Sequence, residues 1–139
     1  DFLKFYDFTI EYLSNIFAKK KQAIKLTIMD NQNIVGVGNI YALESLFLSK
    51  IIPTRSSCDV NMSELKSLRD NIVNVLNQAI MQGGSSIKDY SSVSGENGYF
   101  QNSFKVYGRV GKDCVSCGSK ILKITQAGRS SFYCPNCQR

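Results

Sequence analysis

Residues 1–84 carry apolar side chains at three- and four-residue intervals, the spacing that places them on one face of a helix. This pattern predicts four helices. The fourth is the clearest, because Leu65, Leu68 and Ile72 form a continuous stripe and the pair Gly83-Gly84 provides a stop. Thr9 is a suitable N-cap for the first helix. The expected helices comprise residues 10–17, 19–29, 40–49 and 63–82, and the third is preceded by a turn with two glycines.

The pattern changes after Gly84. Residues 85–98 are polar and interrupted by glycine, which predicts a loop. Residues 99–107 are expected to form a short helix that ends at Gly108, and residues 120–125 and 130–133 are expected to be two strands of a hairpin. The chain is therefore predicted to be mainly α, with a helical domain at residues 1–108 and a small β module at residues 109–139.

Four cysteines in the β module form two C-x2-C pairs separated by 16 residues. This spacing is typical of a four-thiolate zinc site, because each short turn aims two sulfurs at the same ion. A closed set of four thiolates leaves no position for an activated water, and the chain contains no histidine. We therefore predict one structural zinc ion. The expected ligands are Cys114, Cys117, Cys134 and Cys137.

Two disulfides are the alternative interpretation of these cysteines. They would require an oxidising compartment, and the sequence shows no signal peptide and no membrane span. They would also leave Cys58 over, for which a small buried apolar role is the default.

The net charge of +6 is unevenly distributed. Residues 1–98 contain ten basic and ten acidic residues, whereas residues 99–139 contain seven basic residues and a single acid, Asp113. A compact basic module favours a polyanionic partner, most simply nucleic acid. The alternative is a solvated surface whose charge bias has no function.

Two side chains are candidates for phosphate binding. Asn39 stands at the start of the third predicted helix, where backbone N–H groups and the helix dipole favour an anion. Arg129 stands where the hairpin is expected to turn, and a guanidinium there can grip a phosphate with two hydrogen bonds. The alternatives are a simple helix cap for Asn39 and a solvated turn residue for Arg129.

The chain contains the segments GVGNIYA (36–42), GGSSIKDY (83–90), GYFQ (98–101), VYGR (106–109) and GRSSFYCPNCQR (128–139). Together, these segments resemble the C-terminal half of bacterial formamidopyrimidine-DNA glycosylases. The resemblance extends over residues 8–139. The related endonuclease VIII branch shares the overall architecture but not all of these segments.

The resemblance implies a helix–two-turns–helix followed by a zinc-finger hairpin. It also implies base-excision repair, in which an oxidised purine such as 8-oxoguanine or a formamidopyrimidine is flipped out of duplex DNA and removed, and the abasic site is nicked. Asn39 and Arg129 match the family's phosphate-binding positions, with Tyr107 and Lys88 assisting, and Glu44 matches an acidic position near the active site. A buried helix cap or ion pair is an alternative role for Glu44. The implied lesion-recognition loop consists of Ser91, Ser92, Val93, Ser94, Gly95, Glu96, Asn97 and Gly98.

The family's nucleophile is an N-terminal proline amine, and these residues contain no counterpart. Pro53 and Pro135 are internal, so their nitrogens are amides, and the chain starts at Asp1. We expect the chain to be part of a longer protein, with no catalytic residue of its own and no activity by itself. The whole protein is expected to be a DNA glycosylase/AP lyase.

The resemblance further implies a monomeric bacterial protein that is cytoplasmic and nucleoid-associated, binds damaged double-stranded DNA and has no contact with a membrane. Two other classes stay open at this point. One is a non-catalytic zinc-ribbon module that binds nucleic acid such as RNA. The other is a purely structural zinc module, which would show no salt-dependent DNA affinity.

Overall fold

The computed structural model describes residues 8–81 and 104–139. These residues form a helical part and a two-stranded antiparallel sheet, so the mainly α class with a small β module is confirmed. Within the described ranges, no helix has both the length and the apolar character needed to cross a bilayer. In chain order the elements are α1 (Ile10–Ala18), α2 (Ile24–Met29), α3 (Asn39–Leu48), a short 3-10 helix (Ser57–Asp59), α4 (Met62–Met81), β1 (Leu122–Gln126) and β2 (Arg129–Tyr133).

Helix α3 is the centre of the molecule, and its residues from Tyr41 to Phe47 are all buried. One side of α3 contributes Ala42 and Leu46 to a core shared with α1, α2 and α4. The other side contributes Leu43 and Phe47 to a second core shared with the β module. A helix that is buried on all sides must be packed between two layers. The described parts of the two predicted domains therefore share α3, and the division at residue 108 stays a prediction.

Helix α1 begins as the sequence predicts. Thr9 has an extended backbone, and its Oγ1 accepts a hydrogen bond from Tyr12 N at 3.1 Å. This N-cap satisfies one of the backbone donors that a helix start leaves without an intrahelical partner.

Helix α2 is shorter than predicted, because it begins at Ile24 and not at the basic stretch 19–21. The chain before it pairs with the connection between α3 and α4. Ala23 forms an isolated antiparallel bridge with Ser56, and Ile24 N donates to Arg55 O at 2.7 Å. These hydrogen bonds hold the backbone extended and so prevent the helix from starting earlier.

The hairpin has a two-residue turn, Ala127-Gly128, and Gln126 pairs with Arg129 across it. Both turn residues have positive φ, 50° at Ala127 and 81° at Gly128, as the tight turn of a twisted hairpin requires. Strand β1 begins at Leu122, two residues later than predicted, because Lys120 instead forms an isolated bridge with Asp113.

The predicted short helix at residues 99–107 is wrong for its described part, residues 104–107, which form bends and turns. Its first residues lie outside the described ranges. The backbone N–H groups of Lys105, Val106 and Tyr107 do not join a helix, because all three donate to the carboxylate of Glu44. Gly108 ends this segment with φ of 73°.

Candidate metal centre and nucleic-acid interface

The sulfur atoms of the four zinc-module cysteines form one cluster in which all lie within 4.8 Å of one another. Cys114 Sγ lies 3.9 Å from Cys137 Sγ, and Cys117 Sγ lies 3.5 Å from Cys134 Sγ. At a Zn–S distance of about 2.3 Å, the corners of a tetrahedron are about 3.8 Å apart, whereas sulfurs in a disulfide are about 2.05 Å apart. The cluster therefore suits one zinc ion, as the spacing predicts, and not two disulfides.

Backbone N–H groups surround the sulfurs. Ser116 N donates to Cys114 Sγ at 3.4 Å, Ser119 N to Cys117 Sγ at 3.5 Å, and Cys137 N to Cys134 Sγ at 3.4 Å. Such bonds stabilise thiolates, which are the form that binds metal.

The thiols differ in their proton affinity. The pKa of Cys117 is lowered to about 5, mainly by a hydrogen bond from the Ser119 side chain and secondly by one from the Ser119 backbone. Burial raises the pKa of Cys134 and raises that of Cys137 to about 12. Because zinc binds thiolates, its binding at Cys134 and Cys137 would displace the protons of these two thiols.

The second cysteine pair is joined to the helical part by Gln138, which is buried. The Gln138 side chain accepts a hydrogen bond from Cys134 N at 2.8 Å and donates one to Ile51 O at 2.8 Å. The next residue continues the connection, because Arg139 N donates to Lys50 O and Ile52 N donates to Arg139 O. The cysteine cluster is thus anchored to residues 50–52, which follow α3.

Arg55 connects the C-terminal residue of this region to α4. Its guanidinium forms two hydrogen bonds to the Glu64 carboxylate, at 2.6 and 2.8 Å. It also donates to the backbone oxygens of Asp59 and Arg139. The hydrogen bonds from Arg55 are the largest cause of the lowered pKa of Glu64.

Asn39 lies at the first position of α3, and the N-cap is Gly38. The Asn39 side chain makes no cap bond to its own helix. It donates from Nδ2 to Ser130 O in the hairpin at 3.1 Å, while its Oδ1 is buried and has no partner among the described residues. The alternative that Asn39 is a simple cap is therefore wrong. Its amide joins the start of α3 to the residue next to Arg129.

Arg129 is exposed at the first position of β2, directly after the hairpin turn. Its guanidinium makes no hydrogen bond or ion pair within the described ranges. The structure thus brings Arg129 close to the N-terminus of α3 through the Asn39–Ser130 hydrogen bond and leaves its charge without an acidic partner there.

Lys25 is a member of this region that sequence reasoning missed. It lies in the first turn of α2 and is fully buried. Its Nζ donates to Ser131 Oγ at 2.6 Å and lies 3.5 Å from Ser130 O. Burial, and secondly the charge of Arg129, lower the pKa of Lys25 to about 8. A signal was present in the sequence, because Lys25 is three and four residues before the apolar Ile28 and Met29 and so lies on their face of the helix.

Tyr107 is half-buried between two aromatic rings. Its ring centroid lies 5.9 Å from that of Phe104 and 5.1 Å from that of Phe132, both in edge-to-face geometry. The Phe132 contact connects Tyr107 to strand β2, which also carries Arg129. Lys88 and the predicted recognition loop at residues 91–98 lie outside the described ranges.

Glu44 is a backbone anchor. Its Oε1 accepts from Lys105 N at 2.8 Å, and its Oε2 accepts from Val106 N and Tyr107 N, both at 2.9 Å. Residues 105–107 are not helical, so Glu44 is not a helix cap, and none of the ion pairs within the described ranges includes it. It fixes the segment that carries Tyr107 against the middle of α3.

Two family models match the chain. The formamidopyrimidine-DNA glycosylase H2TH domain matches residues 4–91, and a zinc finger found in FPG and IleRS matches residues 111–139. The second match covers all four clustered cysteines.

Formamidopyrimidine-DNA glycosylases from several bacteria are similar to this chain over nearly all of its length. The protein of the Wolbachia strain from Brugia malayi is 48% identical over 132 residues, which are 95% of this chain and 49% of the relative. That of Rickettsia peacockii is 49% identical over 130 residues, which are 94% of this chain and 48% of the relative. The chain thus spans about half the length of the curated relatives that it matches.

Solved structures agree with these matches. Lactococcus lactis Fpg in complex with DNA containing an abasic site superposes with a TM-score of 0.84 at 36% identity, over 95% of this chain and 48% of that one. MutM in complex with DNA containing carbocyclic 8-oxo-G gives a TM-score of 0.83 at 35% identity, over 95% and 47% of the two chains. The fold, the cysteine cluster and both family models lead to one conclusion: this chain belongs to the formamidopyrimidine-DNA glycosylase family.

Proposed function

We propose that this chain is the DNA-binding part of a DNA glycosylase/AP lyase that removes oxidised purines from duplex DNA and nicks the abasic site. The observation that carries the proposal is the junction of α3 and the hairpin, where Asn39 and Arg129 are linked through Ser130. Two donor groups, one at a helix N-terminus and one on a hairpin, stand together there, and neither has an acidic partner among residues 8–81 and 104–139. Such a pair suits the oxygens of a DNA phosphate.

In this proposal the four clustered cysteines hold one structural zinc ion. The ion supplies folding free energy and rigidity, and it takes no part in the chemistry. Because Cys134 directly follows β2, the ion fixes the end of the strand that begins with Arg129. The zinc site thus serves phosphate binding by limiting the positions that Arg129 can adopt.

Asn39 and Arg129 would bind the backbone phosphates beside the flipped nucleotide, and Tyr107 and Lys88 would assist them. Asn39 Nδ2 has a second N–H beyond the one it gives to Ser130 O, so it can donate to a phosphate without releasing the hairpin. Residues 91–98 would form the loop that covers the extruded base. The relatives' structures with abasic and 8-oxo-G DNA support damaged duplex DNA as the partner.

The proposal also covers the finer points of the protein's state. We expect a monomer in the bacterial cytoplasm, associated with the nucleoid and not with a membrane. We expect the 139 residues tested alone to be inactive, because they contain no N-terminal proline amine that could attack the damaged nucleoside. Trapping with borohydride on an 8-oxoguanine duplex measures this directly, and a covalent complex of these 139 residues with DNA would contradict it.

Binding to three probes tests the DNA proposal: a duplex with a stable abasic-site analogue, the same duplex without damage, and a single-stranded RNA of the same length. The zinc-loaded chain should prefer the abasic duplex, with an affinity that falls as salt rises. A preference for RNA would favour the zinc-ribbon alternative, and no salt-dependent affinity for DNA would favour a purely structural module.

Two substitutions test the proposed phosphate contacts. Arg129→Ala should weaken binding to the abasic duplex and reduce the salt slope by about one. Asn39→Ala removes an uncharged donor, so it should weaken binding and leave the slope unchanged. Lys66→Ala and Asn74→Ala are matched controls on exposed positions of α4 and should leave both affinity and slope unchanged. Wild-type affinity and slope in a folded Arg129→Ala protein would contradict the assignment.

A further inference from the structure

We propose that Lys25 is a positioning residue for the phosphate site, whose buried ammonium holds the hairpin against α2 and so sets where Arg129 stands relative to Asn39. This inference rests on the proposed function, since it concerns the same site. It assigns to α2 a role in DNA binding that neither Asn39 nor Arg129 reveals.

The burial of Lys25 is the first reason. Its side chain is 0% exposed, and none of the ion pairs within the described ranges includes it. Its position in the first turn of α2 places a positive charge at the positive end of a helix, and the nearby Arg129 adds a second positive charge. Removing a cation from water without an acidic partner is unfavourable. An apolar side chain of similar length would fill the same space without this penalty, so packing alone does not explain a lysine.

The hydrogen bonds of Lys25 form a chain with fixed directions. An ammonium can only donate, so Ser131 Oγ accepts from Lys25 Nζ. Ser131 in turn donates to Gln126 Oε1 at 2.6 Å, and Gln126 Nε2 donates to Pro53 O at 3.2 Å. The chain connects α2, both strands of the hairpin and the segment after α3. It therefore holds the hairpin in one orientation on the helical part.

The geometry of β2 carries this effect to Arg129. Arg129 and Ser131 are two residues apart in a strand, so their side chains lie on the same face. Between them, Ser130 O accepts from Asn39 Nδ2 at 3.1 Å and lies within 3.5 Å of Lys25 Nζ. Lys25 from α2 and Asn39 from α3 thus hold adjacent residues of the strand that begins with Arg129. Without Lys25, the bond from Asn39 would be the one side-chain hydrogen bond to Ser130 O within the described ranges.

Lys25→Met separates a positioning role from a role in folding. Methionine keeps the apolar length of the side chain and removes the buried charge. Ser131 retains its bond to Gln126, and Ser130 O retains its bond from Asn39, so neither group is left without a partner. We expect the zinc-loaded variant to unfold at the same temperature as the wild type or at a higher one. We expect its affinity for a duplex with an abasic-site analogue to fall by roughly tenfold, a typical coupling within one hydrogen-bond network.

A double-mutant cycle with Arg129→Ala identifies the mechanism. If Lys25 acts through Arg129, adding Lys25→Met to Arg129→Ala should weaken binding by less than about twofold. If the two losses multiply, Lys25 acts on DNA independently and the positioning role is overturned. Unchanged affinity in the folded single variant Lys25→Met also overturns it. Lys66→Met is the control for the loss of one positive charge at an exposed position.

Two further results keep the inference and the proposed function distinguishable. Ser131→Ala removes the acceptor of Lys25 and leaves the lysine in place, so it should cause the same loss of affinity. It is the second test of the inference and replaces Lys25→Met if that variant does not fold. Wild-type affinity in folded Ser131→Ala would overturn the inference. If Arg129→Ala itself has no effect on binding, the phosphate site of the proposed function fails first. If Arg129→Ala weakens binding and Lys25→Met does not, only the present inference fails.

Discussion

Glu44 offers the sharpest test of how the structure is held together. Its carboxylate is buried in α3 and accepts three backbone hydrogen bonds, one at Oε1 and two at Oε2. Glu44→Gln keeps the size of the side chain but replaces one acceptor oxygen with an amide nitrogen that only donates. In the better of its two orientations the amide oxygen keeps the N–H groups of Val106 and Tyr107, and the NH2 group then faces the N–H of Lys105.

The expected loss follows from this geometry. One charge-assisted bond disappears and the other two lose their charge, and a hydrogen bond to a charged group contributes about 1.5–3 kcal/mol. We therefore expect Glu44→Gln to lower the free energy of unfolding by about 2–4 kcal/mol. For a chain of this size, that corresponds to a fall in Tm of roughly 10 °C.

Urea unfolding followed by circular dichroism measures the effect, with zinc held constant. Glu11→Gln is a suitable control, because Glu11 is exposed in the first turn of α1 and its loss should change stability by no more than about 0.5 kcal/mol. A Glu44→Gln protein within 0.5 kcal/mol of the wild type would refute the reasoning that this carboxylate anchors the segment at residues 105–107.

Three further predictions concern the metal, the hairpin turn and Lys25. Removal of zinc with a chelator should lower the Tm and abolish the preference for abasic duplex, because the ion anchors the strand that carries Arg129. Adding zinc back should restore both. A chelated protein that still prefers the abasic duplex would contradict this prediction. Ala127→Gly should raise the free energy of unfolding by about 0.5–1 kcal/mol, because Ala127 has φ of 50°, a conformation that glycine adopts without a steric penalty. Ala18→Gly is the control: Ala18 is the last residue of α1, so glycine there should lower the free energy of unfolding by a similar amount. The pKa of Lys25 is lowered from 10.5 to about 8, so between these pH values the unfolded chain binds more protons than the folded chain, and the contribution of Lys25 to stability should rise with pH. The difference in the free energy of unfolding between the wild type and Lys25→Met isolates this contribution. A difference that stays constant from pH 7.5 to about 10.5 would refute the prediction.

The sequence was sufficient for the elements whose signals are local. The apolar spacing predicts four helices, and Thr9 is the N-cap that its position indicates. The start of α2 is a counterexample, because Ala23 and Ile24 bond to residues 55 and 56, and this pairing competes with helix formation. The short helix predicted up to Gly108 is wrong over residues 104–107 for a similar reason, since Glu44 takes the backbone donors that a helix would have used.

For the site as well, local features could be predicted from the sequence and long-range contacts could not. Cysteine spacing alone predicts the zinc cluster, because the metal geometry is encoded within two short turns. The phosphate candidates Asn39 and Arg129 could be chosen from sequence, but the bond from Asn39 to Ser130 spans 91 residues and carries no local signal. Gln138 was missed, because its importance comes from a contact with Ile51 at a separation of 87 residues.

By itself, the sequence determined the helical class, the four-cysteine cluster and the family, because hydrophobic period, cysteine spacing and motif order are properties of short segments. Only the tertiary structure decided which polar side chains hold the helical part and the hairpin together. Lys25 and Ser131 are 106 residues apart in the chain and 2.6 Å apart in space, at Nζ and Oγ. No periodicity or spacing predicts such a pair, because it forms only when α2 and β2 have been packed against α3.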